Sequence, residues 1–225
     1  IDPEKLGAIV KQARQKRSRR VMLVVDNTIA TPWGVKTPLL DFGGVDVIVA
    51  SGTKALAGQD TDLWGYVASN RVDFLNEVMD LEAMRGGGLD WRRARVILEG
   101  LDVARQRFGK RCASATRIAA FLSLHPKVER VHHPSCPGHE DHTTVERFYS
   151  FPGSLLSFRI READEETARH FADVLATCVV PRYAGSFDGL ATKINHHRTV
   201  SEYFTPDEEI EKAGIDRVLR LGVGI

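Results

Sequence analysis

VIVASGTKALAGQDTDLWG, residues 47–65, carries the strongest structural signal in the chain. It opens on an unbroken apolar run. Such a run, bounded by turn residues, reads as a strand buried on both faces, which is the habit of parallel sheets covered by helices. Ser51, Gly52, Thr53 and Lys54 then end the strand with two hydroxyls, a residue lacking a side chain and an amine. Upstream, VMLVVD at residues 21–26 repeats the apolar run and stops on Asp26. The connecting segment TPWGVKTPLLDFGG holds prolines and glycines and leaves room for at most a short helix. Two buried strands joined through such a crossover point to parallel α/β architecture.

Ligands of open parallel sheets collect beyond the carboxyl ends of the strands. Asp26 stands at one such end, and Ser51, Thr53 and Lys54 stand just past another. Singly these residues have ordinary readings, because an acid caps the next turn and a lysine after a strand points to water. Together they suit an aldehyde cofactor. The amine forms a Schiff base, and pyridoxal phosphate is the common case. A carboxylate beside the pyridine nitrogen keeps that nitrogen protonated. The hydroxyls of Ser51 and Thr53 donate to phosphate oxygens, while Gly52 lets the backbone approach closely.

Working outward, Asp2 and Pro3 form a cap and first-turn pair for a helix carrying Leu6, Ile9, Val10 and Ala13 at helical spacing. WGYVAS (64–69) reads as a strand, residues 71–84 as a helix, and GGG at 86–88 as a break. Residues 89–125 have helical periodicity, with an interruption expected near Phe108–Gly109. VERVHH (128–133) and SLLSFRI (154–160) read as strands, 164–177 as a helix, and PRYAGSFDG (181–189) as a loop. A short helix starts at 205–208 and RVLRLGVGI (217–225) closes on a strand. The expected organisation is a larger α/β unit over 1–115 and a smaller α+β unit over 116–225.

Composition removes several function classes. The 225 residues include 31 Lys+Arg against 30 Asp+Glu, a net charge of +1 that argues against a dedicated nucleic-acid binder. The basic run at 11–20 suits the end of a helix on a solvated face. No apolar run is long enough to span a membrane, and the first ten residues do not read as a signal peptide. Cys112, Cys136 and Cys178 are widely spaced and make no CxxC pair, which fits cytoplasmic thiols. His132, His133, His139 and His142 crowd around Cys136, but Pro134, Pro137 and Gly138 make this a turn-rich polar loop, so no metal is assigned.

Several motifs resemble one family in order and separation: VVDNTIATP (24–32), residues 47–65, LSLHPKVERVHHPSCPGHEDH (122–142), GSLLSFRI (153–160) and IDRVLRLGVGI (215–225). They are similar to signatures of the Cys/Met metabolism, or trans-sulfuration, enzymes that use pyridoxal 5'-phosphate. The resemblance implies a fold-type-I, transferase-like α/β protein with a partial, mostly parallel sheet and a C-terminal α+β domain. It implies that Lys54 binds the cofactor as a Schiff base and later moves protons, that Asp26 pairs with the pyridinium nitrogen, and that Ser51 and Thr53 hold the phosphate. Arg220 matches the arginine that clamps the substrate's α-carboxylate. Alternation in VLRLGVG supports that role, since it puts Arg220 on the face opposite Leu219, Leu221 and Val223, and a charge inside such a strand is costly unless paired.

The activity this resemblance implies is C–S lysis or γ-replacement on cystathionine, methionine or O-acylhomoserine. Elimination and replacement stay open, as do β and γ chemistry. A cytoplasmic homodimer or tetramer is implied as well. By this resemblance Gln59 stands where the family has a histidine, beside one extra residue, and Gly189 stands where it has a serine. Family members are also longer, with an N-terminal half ahead of the helix that starts near Asp2. These departures sustain an alternative expectation: a non-catalytic PLP-fold homologue serving as an interaction or structural subunit.

Overall fold

The computed structural model describes residues 1–17, 21–56, 62–178 and 180–225. Gln59 and its neighbours at 57–61, and Arg19 and Arg20 of the basic run, lie outside the described residues. The chain divides into two compact units, residues 1–105 with 143–151, and residues 106–142 with 152–225.

The first unit opens with α1 (Pro3–Lys16), whose Asp2 cap accepts a hydrogen bond from the Lys5 amide at 2.9 Å. Then come β1 (Val24–Asp26), α2 (Thr31–Gly34), a single 3₁₀ turn at Leu39–Asp41, β2 (Val47–Ser51) and β3 (Gly65–Ser69). β2 lies between its neighbours, parallel to β1 and antiparallel to β3. The sheet is therefore mixed, with the expected parallel crossover between β1 and β2. β2 is buried along most of its length, but β1 is not the doubly buried strand its composition predicts. It forms a sheet edge where Val25 is 8% exposed and Val24 is 51% exposed. Val25, Val35, Leu39 and Ile48 make the core of this unit, and Phe42, Tyr66 and Tyr149 pack against it.

α3 (Val72–Arg85) ends at Gly86, as the glycine triplet predicts. α4 (Trp91–Leu124) then runs unbroken through Phe108 and Gly109, where an interruption is expected from the sequence. Phe108, Cys112, Ala115 and Ala119 recur at helical spacing, and each is at most 1% exposed. Burial of that stripe outweighs the roughly 1 kcal/mol that a glycine costs inside a helix.

The second unit is built on a five-stranded sheet. β4 (Val128–His132) is followed by α5 (His142–Phe148), which belongs to the first unit, and then by β5 (Leu155–Ile160) and α6 (Glu165–Thr177). β6 (Arg182–Tyr183), β7 (Lys193–His196), α7 (His197–Val200), α8 (Asp207–Ala213) and β8 (Leu219–Gly222) complete it. The strand order is β4-β5-β8-β7-β6, antiparallel except for β7 with β6. One face of the sheet carries Leu156, Phe158, Ile194, Leu219 and Leu221, packed with Ala115 and Ala119 of α4 and Ala172 of α6. The alanines are fully buried, so the helices lie close on the sheet. The opposite face is left for polar side chains, Arg220 among them.

Candidate functional site

Because β1 and β2 are parallel neighbours with Asp26 opposite Val49, Asp26 and the segment starting at Ser51 emerge at the same edge of the sheet. Asp26 accepts a hydrogen bond from the Thr28 amide at 2.8 Å, the local turn an aspartate favours after a strand. The Thr28 hydroxyl in turn accepts from the Ser51 amide at 2.9 Å. This two-bond chain ties the end of β1 to the end of β2. Asn27, 4% exposed, has its amide bonded to the Val49 carbonyl at 2.9 Å. Its side chain bonds Tyr66, whose hydroxyl is pushed above its ordinary range by burial, an effect that nearby Asp26 strengthens and the Asn27 bond opposes.

The segment past β2 folds against Trp64. A Cβ built on Gly52 falls 2.2 Å from two carbons of the Trp64 indole, so the glycine makes room for a ring of this same chain. The Gly52 amide donates to the Trp64 carbonyl at 2.8 Å. The Thr53 hydroxyl donates to that carbonyl at 3.3 Å and accepts from the Trp64 amide at 3.2 Å. Lys54 follows in the turn, partly exposed. Thr28, Asn27, Trp64 and Tyr66 are thus parts of this edge that sequence reasoning did not single out.

Arg220 lies in the second unit, on β8, an interior strand flanked by β5 and β7 and not an edge strand facing solvent. It is in register with Ser157 on one side and Asn195 on the other. Its guanidinium donates to the Gly185 carbonyl at 2.7 Å and to the Ser201 hydroxyl at 3.3 Å, and lies 5.7 Å from the centre of the Phe187 ring. Burial draws its pKa below the ordinary arginine value. Among the described residues no carboxylate pairs with it. Arg220 borders a groove of about 390 Å³ that also takes in Ser157, Arg159 and His197. His197 is held below its usual pKa by burial and then by Arg220. A partly desolvated guanidinium without an acid partner is suited by charge and geometry to accept a carboxylate.

The histidine-rich loop is occupied by its own hydrogen bonds. His133, fully buried, contacts the Ser135 hydroxyl at 2.6 Å through Nδ1 and the Gly153 carbonyl at 3.2 Å through Nε2. His142 donates from Nδ1 to the Pro134 carbonyl at 2.8 Å. Among the described residues no cluster of His, Cys, Asp and Glu is placed to hold a metal ion.

Comparison with known proteins bears on family and fold. The profile of the Cys/Met metabolism PLP-dependent enzymes matches residues 4–225. The chain belongs to that family. Cystathionine gamma-synthase 1 of Arabidopsis thaliana is 31% identical over 92% of this chain and 36% of its own length. Cystathionine beta-lyase of Coxiella burnetii is 29% identical over 98% of this chain and 56% of its own length. Among solved structures, cystathionine gamma-lyase from yeast covers the whole chain with a TM-score of 0.90 at 27% identity. The chain spans about a third to just over half of the length of these relatives. The architecture is that of fold type I, and the family's cofactor is pyridoxal phosphate.

The chain's own donor set fits that cofactor. Asp26, the Ser51 hydroxyl and the Lys54 amine are the groups that a ring nitrogen, a phosphate and an aldehyde call for, and they leave the sheet at one edge. Thr53 can donate to a phosphate oxygen in exchange for its 3.3 Å contact with Trp64.

Proposed function

We propose that the protein containing this chain is a C–S lyase or γ-replacement enzyme of sulfur amino acid metabolism, acting on cystathionine, methionine or O-acylhomoserine. The supporting observation is the parallel pairing of β1 with β2, which brings Asp26 and the Ser51–Lys54 segment to one edge. When bound, pyridoxal phosphate supplies an aldehyde for amine exchange and an electron sink for charge developing at the substrate α-carbon. Asp26 would keep the ring nitrogen protonated, and the Thr28 amide that donates to it would fix the carboxylate's direction. Ser51 and Thr53 donate to the phosphate. Lys54 would hold the cofactor at its aldehyde, and its amine would carry a proton to and from the substrate α-carbon. Arg220 receives the α-carboxylate. In the same reading the protein is a cytoplasmic homodimer or tetramer, and its three free cysteines suit a reducing compartment.

Product analysis with cystathionine, methionine and O-acylhomoserine tests the proposal and assigns elimination or replacement. Lys54→Ala lowers kcat by at least about 10²- to 10⁴-fold, the usual contribution of a positioned acid–base group. Arg220→Ala raises KM about 10- to 100-fold, the loss of a charge-assisted hydrogen-bond pair. Absence of turnover on all three substrates by the cofactor-loaded protein contradicts the proposal. It favours instead the non-catalytic reading, which draws on Gly189 standing in place of the family's serine.

A further inference from the structure

Arg111 and Asp188 form a buried ion pair that the chemistry proposed above does not use. Arg111 sits on α4 and is 2% exposed; Asp188 sits ahead of β7 and is 4% exposed. The guanidinium of Arg111 donates to Asp188 Oδ1 at 3.0 Å and to the Gly189 carbonyl at 3.0 Å. The Ser154 hydroxyl donates to the same Asp188 oxygen at 2.9 Å, and the Lys193 ammonium donates to the Asp188 carbonyl. Four hydrogen bonds from three side chains therefore converge on two consecutive residues.

Those residues are held in backbone conformations that side chains disfavour. Asp188 has φ +64° and Gly189 has φ +119°. Non-glycine residues in the left-handed region persist when their surroundings over-determine them, and such strain concentrates at functional sites. A buried ion pair is itself weak evidence for stability, because desolvation offsets the attraction. Its effect is better sought in what it holds in place.

What it holds is the support of Arg220. Residues 185–189 contribute the Gly185 carbonyl at 2.7 Å from the guanidinium and the Phe187 ring at 5.7 Å. The same segment lies directly on β8. A Cβ built on Gly222 falls 3.2 Å from the Asp188 amide and 3.7 Å from the Phe187 Cα. Gly222 is on the same face of β8 as Arg220.

We infer that Arg111 and Asp188 are positioning residues, which clamp the 185–189 loop in a strained conformation so that its carbonyl and aromatic ring aim Arg220 at a carboxylate. The inference rests on the proposed role of Arg220 and adds the device that sets its direction. Neither residue touches the substrate in this account. They act through Gly185 and Phe187.

The test uses Asp188→Asn, which keeps the shape and removes the charge, and Arg111→Lys, which keeps the charge and removes the planar fork. Phe158→Ala, on the helix-covered face of β5, is the control for lost stability alone. The Arg220 Nε–H resonance, assigned by its disappearance in Arg220→Lys, reports the guanidinium environment with no substrate present. Asp188→Asn moves that resonance and raises KM about 10- to 100-fold with kcat nearly unchanged, the scale expected of a group displaced by about 1 Å. Arg111→Lys gives a smaller change of the same kind, and Phe158→Ala leaves both readouts in place. A folded Asp188→Asn protein with the resonance or KM unmoved overturns the inference. So does unfolding of both variants, which assigns the pair to core stability. An unchanged KM in Arg220→Lys instead refutes the carboxylate role of Arg220, while the resonance still decides whether the pair holds the loop.

Discussion

The glycines at 52 and 189 replace side chains for unlike reasons. At Gly52 the space is filled by the Trp64 indole, so Gly52→Ala forces ring or backbone to shift and lowers stability by about 1–3 kcal/mol in urea unfolding. At Gly189 the backbone itself is the obstacle. A serine there has to adopt φ +119°, and Gly189→Ser costs of order 1–3 kcal/mol by the same measurement. Cysteine reactivity separates in a similar way. Cys112 is buried and its thiol is pushed up to about 12, chiefly by desolvation, whereas Cys178 is exposed. Iodoacetamide at neutral pH therefore labels Cys178 in the native protein and reaches Cys112 only after unfolding. The placement of Asp26, Ser51, Thr53 and Lys54 at strand ends was legible in the sequence because each apolar run stops on polar residues. Trp64 was not, because its contact with Gly52 is made by tertiary folding and leaves no spacing pattern.

At the scale of elements, apolar runs and turn residues predicted β2, β3, β5, α3 and α6 within a residue or two of their observed ends. Errors arose where burial and composition diverge. α4 continues through Gly109 because packing of its stripe outweighs local propensity. The effect is measurable at Phe108, which is fully buried, so Phe108→Ala lowers stability by about 3–5 kcal/mol. β7 was hidden by its polar sequence, since Asn195 and His196 do not read as core. Both are nevertheless 1% exposed or less, and side-chain hydrogen bonds accompany their burial. Asn195 donates to the Ala184 carbonyl at 2.8 Å, and His196 Nε2 lies 2.6 Å from the Asp216 carbonyl. β1 was over-read for the opposite reason. Its apolar composition suggested two buried faces, yet it forms the edge of its sheet, and Val24 is half exposed.

Over the whole molecule, three buried or partly buried histidines contribute to the response to acid. His133, His132 and His197 all have pKa values lowered from 6.5, with desolvation the largest cause in each. Unfolding returns these imidazoles to ordinary basicity, so below about pH 6.5 the unfolded chain binds protons that the folded chain does not. Stability is then unaffected by these groups at pH 7 and above, and falls as pH drops through 6.5 toward the lowered folded-state values. Urea unfolding at pH 7.5 and 5.5 shows this loss, and His133→Gln, which keeps a donor for the Gly153 carbonyl, shows a smaller one. No described helix is long and apolar enough to cross a membrane.

The central claim is that the strand-end segment Ser51–Lys54 carries the cofactor, opposite an acid at the end of the neighbouring parallel strand. Borohydride reduction of the pyridoxal phosphate-loaded protein, followed by peptide mapping, tests it most directly. The account predicts a pyridoxyl group on Lys54 and no comparable label after Lys54→Ala. A stable label on a different lysine, or none on the loaded wild-type protein, contradicts it.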